Sequence, residues 1–200
     1  MLSRAKYKLC KRLGGGLFEK CQTQKYAVSE ARARKAKRRR RQMSDYGRQL
    51  IEKQKVRFAY GITEKQLRKY VYESMKAQDT AGSLNKMLEM RLDNVVYKLG
   101  FAPTRRAARQ MVSHGHIVVN GRKINIPSHI TKVGDTVAVR EGSKARTLFS
   151  QLMETISKHK TESWLNLNPK KLSGEIKSEP SFEPEKSIFD FVSVFEFYSR

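Results

Sequence analysis

The residues best placed to do chemistry lie in VSHGHIVVNGRKI, residues 112–124, where His114 and His116 flank a glycine ahead of an apolar triplet, Asn-Gly and two basic residues. Three chemistries use such residues: metal ligation, acid–base catalysis by a histidine pair, or a scaffold that presents charge to a nucleic acid. Zinc takes about four ligands at close range, and the two histidines supply two, with no cysteine nearby in sequence. Cys10 and Cys21 are the only thiols and have no histidine near them. No nucleophile–base pairing or paired carboxylates stand out elsewhere. No metal, no cofactor and no catalytic residue are therefore expected. Two cysteines in a basic, intracellular segment also give no expectation of a disulfide framework.

Charge decides among the remaining readings. The 200 residues carry 42 Lys+Arg against 19 Asp+Glu, a net charge of +23 with pI near 10.2. Self-repulsion of that size strains a compact fold unless a polyanion binds it. Residues 1–60 hold 19 basic and 4 acidic side chains, residues 61–160 hold 18 and 8, and residues 161–200 hold 5 and 7. The polyanion-binding surface therefore belongs to the first 160 residues. RARKAKRRRR, residues 32–41, has eight basic positions in ten and no apolar partner surface. Such a run orders along phosphates rather than by burial. No run reaches transmembrane length, the N-terminus lacks the apolar core of a secretory signal, and the motifs begin too early for a removable leader. The cytoplasm is expected.

The elements that must carry these charges are mostly helical. Ser44 or Asp45 caps a helix through YGRQLIEKQKVRFAYG that stops near Gly61. Thr63 and Gln66 have the spacing of a capping box, and Ile62 and Leu67 that of a hydrophobic staple. Leu67, Tyr70, Val71 and Met75 follow at helical spacing, and Leu84, Leu88, Leu92, Val95, Val96 and Leu99 resume it in one long helix or two abutting ones. Thr104 caps a shorter helix that buries Ala107, Ala108, Met111 and Val112 and leaves Arg105, Arg106 and Arg109 facing outward. Gly115 suits its left-handed stop. Ile117–Val119, Asn120-Gly121 and Arg122–Ile124 read as a type I′ hairpin, and GDTVAVRE as a further strand. Leu148, Phe149, Leu152, Met153 and Ile156 mark another helix, residues 161–187 read as loops, and the alternation of Phe189, Phe191, Phe195 and Phe197 reads as a C-terminal strand.

The block RLDNVVYKLGFAPTRRAARQMVSHGHIVVNGRKINIPSHITKVGDTV, residues 91–137, resembles the RNA-binding module named after the fourth protein of the small ribosomal subunit. SDYGRQLIEKQKVRFAYGITEKQLRKY upstream, WLNLN downstream and the closing YSR are similar to the family of that ribosomal protein itself, in its bacterial or organellar form. The resemblance covers most of residues 44–200, in three separated stretches in the right order. It implies an α+β fold: a basic extended N-terminal arm (1–43), a helical domain (44–90, completed by 161–200 with the C-terminal strand), and an inserted module (91–160) of two helices on a small twisted antiparallel sheet. It implies a structural constituent of the small subunit that binds small-subunit ribosomal RNA at a multi-helix junction early in assembly. The implied partners are that RNA, neighbouring small-subunit proteins and messenger RNA near its entry path, with no membrane and no small-molecule substrate. Some relatives carry an N-terminal cysteine-rich zinc site; this chain has only Cys10 and Cys21, so no metal is expected.

Two enzyme readings fail on the residues. Arg91-Leu92-Asp93 is similar to the Arg-Leu-Asp of pseudouridine synthases, but Asp93 sits in an amphipathic helix with no large catalytic domain after it, and pairing with a nearby arginine on the helix surface fits better. A tyrosyl-tRNA synthetase fragment would need nucleotide-binding signatures that are absent. The alternative to a ribosomal constituent is a free-standing RNA-binding factor built on the same module, ribosome-associated or acting in antitermination. The expected RNA contacts are Arg34, Lys35, Lys37, Arg38, Arg39, Arg40 and Arg41 in the basic run, Tyr46, Arg48, Lys53, Lys55 and Arg57 on the next helix, and Arg91, Lys98, Arg105, Arg106, Arg109, Gln110, Arg122 and Lys123 in the module. His114 and His116 join them as donors or stacking groups, with a purely structural part equally open.

Overall fold

A computed structural model of the chain describes residues 6–35, 43–144, 161–199 and, between the last two ranges, Phe149, Leu152, Ile156 and His159. The chain forms two compact units, residues 1–81 with 183–200, and residues 82–182. Among the described residues no helix is long and apolar enough to cross a membrane.

The first unit begins with α1 (Lys6–Leu13), two 3-10 turns (Gly15–Leu17 and Glu19–Gln22) and α2 (Gln24–Lys35). The expected extended arm is therefore helical through its described part, and the run Lys37–Arg41 lies outside the described residues. The expectation of no disulfide is also corrected: Cys10 is bonded to Cys21, with Cα atoms 6.7 Å apart. The reason is local. This segment's small core is the cystine with Tyr26, against which Tyr7 and Phe18 pack, and a cross-link closing a loop of this length contributes roughly 2–4 kcal/mol where so little apolar surface is buried.

The helices that follow obey their sequence signals. In α3 (Asp45–Ala59) Ser44 accepts from the Gly47 backbone N–H, and in α4 (Glu64–Ser74) both bonds of the Thr63–Gln66 capping box form, with Ile62 and Leu67 buried beside it. The C-terminal segment does not follow its apparent period. Phe191–Tyr198 is a helix in place of the expected strand. Asp190 caps it by accepting from the Ser193 N–H, and Phe191 and Val194, three apart, are buried. Phe197 lies against Tyr46 of α3 at 5.6 Å between ring centroids, and Gln49 Nε2 donates to Glu196 at 2.8 Å. An alternating aromatic run fits a strand only where a strand edge awaits it; here the surface offered is α3.

Glu64 fastens this unit. Its carboxylate accepts from Lys53 (2.8 Å), Arg57 (3.1 Å) and the Tyr198 hydroxyl (2.7 Å). Burial alone would raise its pKa, but these three donors together hold it below the ordinary carboxylate value. Burial and the adjacent Glu64 carboxylate push the Tyr198 phenol well above its ordinary range.

In the second unit the residues from Gly82 onward complete α5 (Thr80–Glu89), followed by α6 (Leu92–Lys98), α7 (Arg105–Ser113) and α8 (Glu141–Lys144). The abutting pair is thus two helices separated by Met90 and Arg91. The sheet has five antiparallel strands in the order β2-β1-β3-β5-β4: β1 (Ile117–Val119), β2 (Arg122–Lys123), β3 (Thr136–Val139), β4 (Leu165–Asn168) and β5 (Ser173–Ile176). Asn120 and Gly121 take the positive φ values (50° and 78°) of the expected hairpin turn. Residues 165–176, expected as loop, form the β4–β5 hairpin instead. Val137 faces Gly174 in the sheet, and Leu99 packs so closely over Gly174 that a Cβ there would collide with it. That glycine resembles a loop signal in sequence and is a packing requirement in the fold. Ile117, Val119, Val137, Val139 and Ile176 join Val95, Val96, Leu99, Ala108 and Val112 in one core, with the helical residues Phe149, Leu152 and Ile156.

Because Glu64's pKa is lowered on folding, its stabilisation is present above the ordinary carboxylate range and is lost as the pH falls through the lowered value. Half-exposure of the group screens it, so Glu64→Gln should cost about 1 kcal/mol at neutral pH. The difference in urea midpoint between parent and variant, followed by circular dichroism, should shrink between neutral pH and about pH 3. An undiminished difference would show that the charge of Glu64 does not hold this unit.

Candidate nucleic-acid interface

The module's α7 begins where Thr104 accepts from the Ala107 N–H and ends at His114, with Gly115 at φ 71°. Ala108, Met111 and Val112 enter the core, so the opposite side of the helix must face water. Arg106, Gln110 and His114, each four residues from the next, are exposed there as one stripe. Arg122 and Lys123 of β2 are exposed as well, and the Lys123 side chain crosses Gly115 so closely that a Cβ at 115 would meet it. Lys123 thereby sits at the end of the α7 stripe. The hairpin is pinned from the other side, since Asn120 Nδ2 donates to Asp135 (2.8 Å) and Asn120 Oδ1 accepts from the Thr136 N–H (2.9 Å).

Arg105 and Arg109 do not simply face outward, as their spacing predicts. Arg105 Nε donates to Asn94 Oδ1 at 2.7 Å, with its guanidinium 4.7 Å from the Tyr97 ring centroid. Arg109 donates to Asp93 through Nε (3.1 Å) and Nη2 (3.0 Å). Residues 94–134 contain no acid, but folding brings Asp93, one residue outside that range, against α7.

Arg91 is the clearest correction. It is 0% exposed and binds Asp93 with both ends of its fork, Nε to Oδ1 at 3.0 Å and Nη2 to Oδ2 at 2.8 Å. It reaches no solvent and is removed from the RNA-facing set. The surrounding backbone explains its burial: Arg91 bridges Ile130, and Leu92 and Asp93 N–H groups donate to the His129 and Pro127 carbonyls. Asp93 pairs with arginine as expected, but inside the unit rather than on a helix surface.

Lys53 is a second correction. It is 6% exposed, with its ammonium on Glu64 and 4.2 Å from the Phe197 ring centroid. Arg57 is part-buried on the same carboxylate, Lys55 bonds Glu52 at 2.5 Å, and Lys98 bonds Glu162 at 2.8 Å. Arg48 is exposed and paired with Asp45, and Tyr46 is exposed beside Phe197. Arg34 and Lys35 belong to α2, but their side chains, like the whole of Lys37, Arg38, Arg39, Arg40 and Arg41, lie outside the described residues.

The two histidines take different positions. His114 is exposed, its ring parallel to that of His116 at 6.2 Å. His116 is half-buried, with Nδ1 at 3.0 Å from Ser143 Oγ and its ring edge-on to Phe149. Among the described residues no group of three or more potential ligands could hold a metal. Asn94 and Tyr97, which hold Arg105, and Glu89, which binds the Asn94 amide, were not singled out by spacing. Of the three, Asn94 alone carries a signal, as a polar side chain inside the apolar pattern of RLDNVV.

The match of residues 90–137 to the S4 domain makes this an S4-domain α+β protein. Residues 1–89 match the ribosomal protein S4/S9 N-terminal domain. The chain is 52% identical over 165 residues to the small ribosomal subunit protein uS4 of Roseiflexus sp. (strain RS-1), covering 81% of this chain and 80% of the relative. To the uS4 proteins of Dehalococcoides mccartyi (strain CBDB1) and Syntrophomonas wolfei it is 42% identical over 201 residues and 39% over 198, covering 96% of this chain in each case and 96% and 95% of the relatives. The chain belongs to the uS4 family of small ribosomal subunit proteins.

Asp93 serves two arginines, so its loss strands a buried charge, whereas the loss of Arg109 leaves the Arg91 fork intact. Asp93→Ala should cost about 3–5 kcal/mol of unfolding free energy and Arg109→Ala about 1 kcal/mol, both read from urea titrations. Equal costs would contradict the sharing of one carboxylate.

Proposed function

We propose that this chain is a structural, non-catalytic constituent of the small ribosomal subunit that binds small-subunit ribosomal RNA directly, at a junction of several RNA helices, and acts early in assembly. The observation that carries the reading is the exposed stripe of Arg106, Gln110 and His114 on a rigid helix, continued by Lys123 and flanked by Arg122. Donors at fixed spacing suit phosphates of a folded RNA, which is recognised by shape and backbone rather than through its deep major groove. The net charge of +23 supplies the long-range attraction, and the run at 32–41 adds contacts along the backbone. Membership of the uS4 family supports reading the RNA as that of the small subunit; a cytoplasmic ribosome as the setting, neighbouring small-subunit proteins as partners and messenger RNA near its entry path as a further one belong to the same proposal. Both chain ends belong to one compact unit, which supports reading the module as an insertion within a helical domain.

Arg106→Glu with Lys123→Glu should leave the circular dichroism spectrum and melting temperature unchanged, because both side chains are exposed. Affinity for small-subunit RNA in a filter-binding titration should fall at least about tenfold. The log–log salt slope should lose about 1.5 units, since each phosphate contact supplies roughly 0.7–0.9. Parent-like affinity and slope would remove α7 from the recognition surface. In sucrose gradients the chain should co-sediment stoichiometrically with small subunits after a high-salt wash; release by the wash would identify a free-standing factor instead.

A further inference from the structure

We infer that Asn94 is a positioning residue for RNA binding: it fixes the Arg105 guanidinium in place without cancelling its charge. This rests on the proposed RNA-binding role of α7. Asn94 is buried, and both ends of its amide are engaged. Nδ2 donates to the Glu89 carboxylate at 2.8 Å and to the Glu89 carbonyl at 3.0 Å, while Oδ1 accepts from Arg105 Nε at 2.7 Å. The partners allow one orientation only. The two Glu89 oxygens only accept, and the arginine nitrogen only donates. Glu89 therefore turns the amide so that its oxygen meets Arg105, and the Tyr97 ring supports the guanidinium from the same helix that carries Asn94.

An arginine free in solvent loses rotamer freedom when it grips a phosphate, and one already held has less to lose. The neighbouring arginine shows what the amide avoids. Arg109 is held by the carboxylate of Asp93, so its charge is partly compensated where it sits. A carboxylate at position 94 would hold Arg105 equally well, but would neutralise it and repel Glu89. The amide supplies an acceptor with no net charge. Two adjacent residues of α6 thus steady two arginines of α7 by different chemistry, a neutral amide at Arg105 and a carboxylate at Arg109.

A double-mutant cycle on the full chain tests the inference, with Asn94→Ala, Arg105→Ala and the double variant titrated against small-subunit RNA at fixed salt and melting temperatures recorded for each. Each single change should weaken binding about tenfold. The double variant should be no more than about twofold weaker than Arg105→Ala alone, because Asn94 acts only through that arginine. A loss from Asn94→Ala that persists undiminished without Arg105 would show a merely structural role and overturn the inference. So would parent-like binding by Asn94→Ala alone. Arg105→Lys provides a test that leaves the buried amide in place: with charge retained but the Nε bond lost, it should also bind about tenfold more weakly, and parent-like affinity would again overturn the inference. If Arg105→Ala itself binds like the parent, the inference falls with its premise at that residue, while the Arg106 and Lys123 variant independently decides whether α7 contacts RNA.

Discussion

The second unit depends on one buried carboxylate. Asp93, 4% exposed, takes the whole fork of Arg91 and two further donors from Arg109. An ion pair out of water gains little net energy over apolar packing, but removing one member leaves a charge with no solvent and no partner. Asp93 therefore acts more as a constraint than as a source of stability. It admits only arrangements in which the start of α6, the backbone at residues 127–131 and the middle of α7 converge. The outward stripe of α7 inherits its direction from that convergence, since a helix clamped at Arg109 and buried along Ala108, Met111 and Val112 has no freedom to roll.

The same economy governs the first unit. With 19 acids to 42 bases, each internal carboxylate orders several cations or polar groups. Glu64 gathers Lys53, Arg57 and Tyr198 and so ties α3 and α4 to the C-terminal helix. The aromatic rings of that helix take the apolar stems and the charge of Lys53. Cations held this way stabilise the unit and are withdrawn from any external polyanion. Among the described residues the electrostatic surface is accordingly sparser than the composition implies, with Arg106, Arg122 and Lys123 among its exposed cations.

Near the N-terminus, burial is too small for a core of ordinary size, and the cystine between Cys10 and Cys21 with its three aromatic neighbours takes its place. Basic helices can then be presented without a large apolar base beneath them, which matters in a segment where nearly every second residue is polar or charged.

What the sequence by itself determined was local: the Thr63–Gln66 capping box, the Thr104 start of α7, the Asn120-Gly121 hairpin and the split of charge along the chain. Each depends on neighbours within about four residues, so no distant partner can overrule it. The RLDNVV and RRAARQMVSHGHIVVNGR stretches also carried the family resemblance, and with it the binding module. Only the tertiary structure decided which cations face water. Arg91, Lys53 and Arg106 are alike in sequence as basic positions within helix-patterned stretches; Asp93 and Glu64 draw the first two inward from positions two and eleven residues away, whereas the third is exposed. The C-terminal run likewise satisfied a period of two until α3 supplied a helical groove in place of a strand edge. The β4–β5 hairpin, inside the stretch read as loops, was hidden because its pairing with β3 spans some 35 residues, and Gly174 is there to let Leu99 through.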